Sequence, residues 1–134
     1  MAKLTQIEGI GAKYYQLLES IGIEDQYQLL QTCGERGGRE RVAKETGISG
    51  KLILKWTNQA DLARVNGIGE EYAELLERSG VDTVPELAQR NPESLLTMLQ
   101  ETNERLSLVR HVPGLPQVVS WIAQAKNLPR VIYY

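Results

Sequence analysis

The chain has 134 residues, a net charge of −2 and 42% hydrophobic residues, which is the composition of one ordinary soluble domain or two very small ones. It contains no apolar run long enough for a membrane-spanning helix, and the stretch "MAKLTQIEG" lacks the hydrophobic region of a signal peptide. Cys33 is the only cysteine and His111 the only histidine, which excludes an internal disulfide and a Cys/His zinc site. We therefore predict a cytoplasmic protein with no metal, no other cofactor and no membrane association.

The charges are spread unevenly along the chain. Residues 31–60 contain six basic and three acidic side chains, a balance of +3, whereas residues 61–90 contain three basic and seven acidic ones, a balance of −4. The overall balance does not favour a strong nucleic-acid binder, because such domains are usually basic. If any surface binds phosphate, we expect it in the first half.

A long phrase occurs twice. Residues 7–23 read "IEGIGAKYYQLLESIGI" and residues 65–81 read "VNGIGEEYAELLERSGV", with 8 of 17 positions identical. Such self-similarity indicates a duplicated structural unit. We predict a single helical domain, 1–134, built from internal repeats at about 4–61 and 62–128 and followed by a tail at 129–134.

Each repeat reads as helices with short connections. After the first glycine pair, Tyr14, Leu17 and Leu18 recur at three- and four-residue steps and form one apolar stripe. Gly22, and Gly80 in the second repeat, are expected to end these helices in the left-handed conformation.

Capping patterns mark the later helices. Asp25 and Thr83 have capping-box spacing, and Asn91 precedes a proline at a first helical position. A further helix begins near Ser49, with Trp56 on its apolar side. Apart from the closing "RVIYY" no strand pattern is present, so we predict an all-α protein.

The first glycine phrase resembles the hairpin of helix-hairpin-helix proteins, which bind the DNA backbone without reading its sequence. The resemblance places Gly9, Ile10 and Gly11 in the loop and implies that the amides of Gly11, Ala12 and Lys13 hold a phosphate. The same amides are also compatible with a purely structural hairpin.

The second phrase keeps the turn and changes the charge. Gly67, Ile68 and Gly69 match the first loop, but Glu70 and Glu71 stand where Ala12 and Lys13 stand in the first phrase. Two carboxylates at the place of a phosphate make this hairpin a poor DNA contact.

Almost the whole chain, from Leu4 to Leu128, resembles an uncharacterised family related to helix-hairpin-helix proteins and described only as a domain of unknown function. The phrases that carry the resemblance are "IEGIGAKYYQLLESIGI", "TGISGKLILKWTNQADLARVNGIG" and "SGVDTVPELAQRNP". It implies a fold and no activity.

Residues 41–56 are compatible with a second nucleic-acid-binding element, because Gly47 stands where the turn of a helix-turn-helix is expected. Lys51 and Lys55 would then be placed for phosphate contacts, with Trp56 packed inward. Neither lysine has an acidic residue three or four positions away, whereas Arg39 and Lys44 follow a glutamate by four residues, as on a solvated helix face.

No pair of catalytic acids and no nucleophile with its base is recognisable, so we predict a binding module, not an enzyme, with no small-molecule substrate. The favoured partner is the backbone of DNA or RNA. The alternative is a protein-interaction adaptor that uses Glu70 and Glu71, or the aromatic end Tyr133 and Tyr134. The tail itself either folds back on the helices or adds to a partner's sheet.

Overall fold

The computed structural model describes residues 3–134; Met1 and Ala2, which the predicted domain 1–134 includes, lie outside the described residues. A short 3-10 turn at Leu4–Gln6 precedes the helices. The α-helices are α1 (Ala12–Glu19), α2 (Gln26–Cys33), α3 (Arg36–Thr46), α4 (Gly50–Leu62), α5 (Glu70–Arg78), α6 (Val84–Ala88), α7 (Pro92–Leu106) and α8 (Leu115–Asn127). Residues 3–134 form no strand, so the prediction of an all-helical protein is confirmed.

The chain divides into two compact units. Unit 1 comprises the chain up to Asp61 together with Val131–Tyr134, and unit 2 comprises Leu62–Arg130. Each helix formed by residues 3–134 is too short or too polar to span a bilayer.

The core of unit 1 gathers one apolar face from each of its helices. Leu18, Leu29, Ile53 and Trp56 are almost completely buried in it, and Ile132 joins them from the end of the chain. Burial of such side chains stabilises by about 1.5–3 kcal/mol each.

The core of unit 2 is built from α5–α8. Leu76, Leu95, Leu99 and Val118 have no exposed surface, and Trp121 is 2% exposed. Trp56, which the sequence places on the apolar side of its helix, is thus confirmed as a core residue, and Trp121 is a core residue of unit 2.

Two of the expected side-chain caps of the later helices are confirmed and one is wrong. Asp25 accepts the Gln28 amide at the start of α2, and Asn91 accepts the Ser94 amide at the start of α7. Thr83 lies at the start of α6 but makes no side-chain cap hydrogen bond. There the reaching carboxylate of Glu86 accepts the amide of Asp82.

Candidate nucleic-acid interface

The first candidate element is the α1 hairpin, residues 7–13. Ile7 and Ile10 are buried, and the Ile10 amide donates to the Ile7 carbonyl at 3.1 Å, which closes the turn. Gly9 between them has φ +93°, a conformation that favours glycine. A methyl group on Gly9 would approach Trp56 Nε1 at 3.4 Å. The apolar side chains thus fix the loop from inside and leave its backbone toward solvent.

The beginning of α1 lacks a side-chain cap. Gly11 is the N-cap and has no side chain to accept the first amides of the helix. Ala12 and Lys13 are both exposed. The free amides and the positive end of the helix dipole favour an anion at this point, and the Lys13 ammonium adds a full charge to them.

The α5 hairpin, residues 65–71, has the same backbone bonds. The Ile68 amide donates to the Val65 carbonyl at 3.1 Å, Gly67 has φ +98°, and Gly69 caps α5 without a side chain. Glu70 and Glu71 occupy the first turn and are exposed. Here the negative charges complement the helix dipole themselves.

Each hairpin is braced by a tyrosine packed on a tryptophan. The ring centroids of Tyr14 and Trp56 lie 5.1 Å apart, and those of Tyr72 and Trp121 lie 5.3 Å apart, both tilted. Since such pairs add to the stability given by burial alone, the tryptophans hold the hairpins in place and their rings are not available to a ligand.

Lys51 and Lys55 lie on a different side of α4 from the hairpin. Successive residues of a helix turn by about 100°, so Lys51, Leu54, Lys55 and Asn58 share one face, while Trp56 points away from it toward Gly9. Lys51 is exposed, whereas Lys55 is half-buried and engaged in an interaction within the chain.

Arg39 is not the solvated surface residue that its spacing from Glu35 indicates. It is 7% exposed, and its Nη1 donates to the carbonyls of Cys33 and Gly34 at 2.9 and 3.0 Å. Its Nη2 donates to the Tyr133 carbonyl at 2.9 Å. The expectation of a surface pair with Glu35 is therefore wrong, because buried carbonyls offer this arginine better partners.

The glutamates of α5 have the spacing of a solvated acidic face in the sequence: Glu70, Glu71, Glu74 and Glu77. Glu74 is 8% exposed and its carboxylate lies 3.7 Å from Arg78 Nη1, whereas Glu71 is exposed. The solvated part of this face is therefore narrower than the sequence pattern indicates.

The tail folds back, as one of the two sequence interpretations expects. Ile132 enters the core of unit 1, and the Tyr133 amide donates to the Gly34 carbonyl at 2.7 Å. The Tyr134 hydroxyl donates to Asn58 Oδ1 at 3.3 Å. Tyr133 and Tyr134 nevertheless stay 52% and 62% exposed.

Gly34 and Asn58 receive this tail, a role that the sequence alone does not reveal. A methyl group on Gly34 would stand 2.6 Å from the Val131 carbonyl oxygen, so the tail requires glycine there. The sequence shows a glycine directly after α2, but it does not show that the C-terminal tail packs against this glycine.

Cys33 is a core residue. It has no exposed surface, and burial raises the pKa of its thiol to about 11, although the Arg39 guanidinium acts in the opposite direction. Such a thiol is a poor nucleophile, since the thiolate is the reactive form. Among the described residues, no group of three or more His, Cys, Asp or Glu side chains could hold a metal ion.

Comparison with known proteins identifies a family and no activity. No curated protein and no solved structure matches the chain. One family model, "Domain of unknown function (DUF4332)", covers residues 8–128. The match spans most of the chain, which therefore belongs to the DUF4332 family.

Proposed function

We propose that the protein is a helix-hairpin-helix module that binds the phosphate backbone of nucleic acid weakly and without reading its sequence. The α1 hairpin makes the contact. The carrying observation is Lys13 at the uncapped, exposed start of α1. No catalytic step is part of the proposal.

The contact is local and electrostatic. A phosphate oxygen would accept the amides of Gly11, Ala12 and Lys13, while the Lys13 ammonium neutralises its charge. One such contact gives low affinity, and the net charge of −2 adds no general attraction. Binding should therefore be detectable at low salt and should weaken steeply as salt is added.

The α5 hairpin supports the proposal as an internal contrast. Its loop has the same closing hydrogen bond and the same glycine conformation, with Glu71 at the position of Lys13. In this module it serves packing alone, because the two carboxylates at the start of α5 repel a phosphate.

Fluorescence anisotropy of a labelled DNA duplex at salt concentrations from about 50 mM upward tests the proposal. We expect Lys13→Glu to abolish measurable binding, since it reverses the charge beside the amides. The matched control is Lys126→Glu, an equal change of charge at an exposed position of α8 in unit 2. Equal losses in both variants, or no binding by the unaltered protein at about 50 mM salt, would contradict the proposal.

Protein binding is the second candidate function, favoured by two tyrosines that remain more than half exposed although their segment is fixed to unit 1. Glu70 and Glu71 would form a separate acidic contact for a basic partner. Affinity capture with the full chain, compared with Tyr133→Ser and with Glu70→Gln/Glu71→Gln variants, tests this function. A partner that both variants retain as the unaltered protein does would exclude these surfaces.

A further inference from the structure

Unit 1 has a surface pocket that the proposed function does not use. It encloses about 340 Å³, which lies at the small end of ligand pockets. Ala43, Gly50, Leu54 and the Tyr134 ring provide an apolar lining, and Arg36 and Glu40 stand among the lining residues as an ion pair of 3.0 Å. We call it the Tyr134 pocket.

The aromatic wall of the pocket is fixed in place. Tyr134 donates its hydroxyl to Asn58, and the preceding residue is held through its amide by Gly34 and through its carbonyl by Arg39. An exposed ring that is already immobilised loses little conformational entropy when a ligand stacks on it.

The lining suits a flat aromatic group. The Arg39 guanidinium lies 5.8 Å from the centroid of the Tyr134 ring, and both residues border the pocket. Arg36 and Glu40 largely cancel each other in charge, while their polar atoms can meet donors and acceptors at the edge of a ring. Aromatic rings and guanidinium planes are the surfaces on which unpaired bases stack.

The surroundings of the pocket favour phosphate. Leu54 belongs to the face of α4 that also carries Lys51 and Lys55, Gly50 directly precedes Lys51, and residues 31–60 have a balance of +3. A chain of phosphates beside a base would therefore meet basic side chains, whereas the aromatic side chain of a protein partner brings no such charge.

We propose that the Tyr134 pocket receives an unpaired base of single-stranded nucleic acid, which stacks on the Tyr134 ring while Lys51 contacts the neighbouring phosphate. The inference rests on the proposed function in that both assume a nucleic-acid ligand. It adds a second contact on another side of α4 and names single strands as the ligand class, because bases in a duplex are stacked and paired.

The test compares three labelled probes with the full chain at about 50 mM salt: a thymidine 12-mer, an abasic sugar–phosphate strand of equal length, and a duplex. We expect the thymidine strand to bind about 5- to 100-fold more tightly than the abasic strand. Tyr134→Ala should remove this preference. Tyr134→Phe should keep most of it, because the variant keeps the ring and loses only the bond to Asn58.

Tyr133→Ala is the matched control, since this neighbouring side chain is exposed and does not line the pocket. It should leave the preference unchanged. Thermal unfolding of each variant checks that loss of the tyrosine has not released the core. Equal binding of thymidine and abasic strands, or a preference that survives Tyr134→Ala, would overturn the inference.

The outcomes separate the two proposals. Duplex binding that depends on Lys13, without any preference for bases, overturns the Tyr134 pocket and leaves the proposed function standing. A base preference that depends on Tyr134 while Lys13→Glu has no effect supports the pocket and overturns the hairpin contact. If none of the three probes binds, both proposals are wrong.

Discussion

The two hairpins have the same backbone conformation and differ in charge and in how closely a glycine packs on a tryptophan. In both, an isoleucine is buried and its amide closes the turn. The first glycine of each loop, Gly9 or Gly67, has φ of +93° or +98°. Lys13 faces solvent in the first and Glu71 in the second. The comparison separates what the turn requires, two glycines and a buried apolar residue, from what is free to vary, the charge on the helix that follows.

The units differ more strongly after their second helix. In unit 1, the tail packs closely against Gly34, and the end of α2 packs closely against Gly38 in α3. The positions 58 residues later hold Pro92 and Leu96. Pro92 starts a helix of 15 residues in unit 2, while α3 has 11. Glycine thus lets α3 and the tail approach the end of α2, and unit 2 has no such requirement.

The largest expected effect comes from the approach of α3 to α2. A methyl group on Gly38 would fall on the carbonyl oxygen of Thr32, so we expect Gly38→Ala to reduce the free energy of unfolding by about 3 kcal/mol. The neighbouring Gly37 has nothing within 4 Å of such a methyl group. Gly37→Ala should instead stabilise α3 by about 0.5–1 kcal/mol. Urea unfolding of the pair measures both signs, and two similar values would contradict the close approach.

The sequence predicted the parts of this fold that depend on local chemistry. The left-handed glycines Gly22 and Gly80 and the caps Asp25 and Asn91 are set by a few neighbouring residues, and all four are confirmed. The burial of Arg39 was not predictable in the same way, because its acceptor at Tyr133 lies 94 residues away.

The candidate site follows the same division. The uncapped start of α1 and the exposure of Lys13 were readable from "GIGAK", since both depend on adjacent residues. The Tyr134 pocket was not readable, because it forms only when residues from α3, α4 and the tail meet. A spacing pattern reports helical neighbours and cannot report which distant segment lies against them.

The two hairpins also differ in how closely their first glycine, Gly9 or Gly67, packs on a tryptophan. A methyl group would stand 2.9 Å from Trp121 Nε1 in Gly67→Ala and 3.4 Å from Trp56 Nε1 in Gly9→Ala. Both variants also place alanine at positive φ, which costs about 1–2 kcal/mol. We expect about 2–3 kcal/mol of destabilisation for Gly67→Ala and about 1–2 for Gly9→Ala. A larger loss for Gly9→Ala in urea unfolding would show that Trp121 moves aside more easily than Trp56.

Unit 1 carries a buried thiol, Cys33, where unit 2 has the exposed cap Asn91. Burial raises the pKa of the Cys33 thiol from 9.0 to about 11, so the unfolded chain ionises first as the pH rises. The thiol's contribution to stability is therefore present below about pH 9 and is lost between about pH 9 and 11. At pH 10 we expect a loss of about 1.4 kcal/mol.

Other groups titrate in the same range, so the measurement is a difference between two curves. The free energy of unfolding, measured with urea from pH 7.5 to 10.5, should fall more steeply for the unaltered protein than for Cys33→Ala. The smaller side chain of the variant adds only a constant offset between the two curves. Parallel curves would mean that the thiol ionises equally easily in the folded protein.

The smallest effect is the most informative about the hairpins. A positive charge in the first turn of a helix opposes the helix dipole, and a negative charge complements it. We therefore expect Lys13→Glu to stabilise the protein by about 0.3–1 kcal/mol and Glu71→Lys to destabilise it by a similar amount. Thermal unfolding at low salt measures both, and the differences should shrink as salt is added.

These two changes in stability bear on why the hairpins differ in charge. If both served packing alone, glutamate would suit the start of α1 as well as it suits the start of α5. Lys13 would then lower the stability slightly without serving a function. A measured gain in stability from Lys13→Glu, together with a loss of duplex binding, would show that the first hairpin retains its lysine for a ligand. A loss of stability in that variant would instead give Lys13 a structural role, and the difference between the hairpins would no longer favour phosphate.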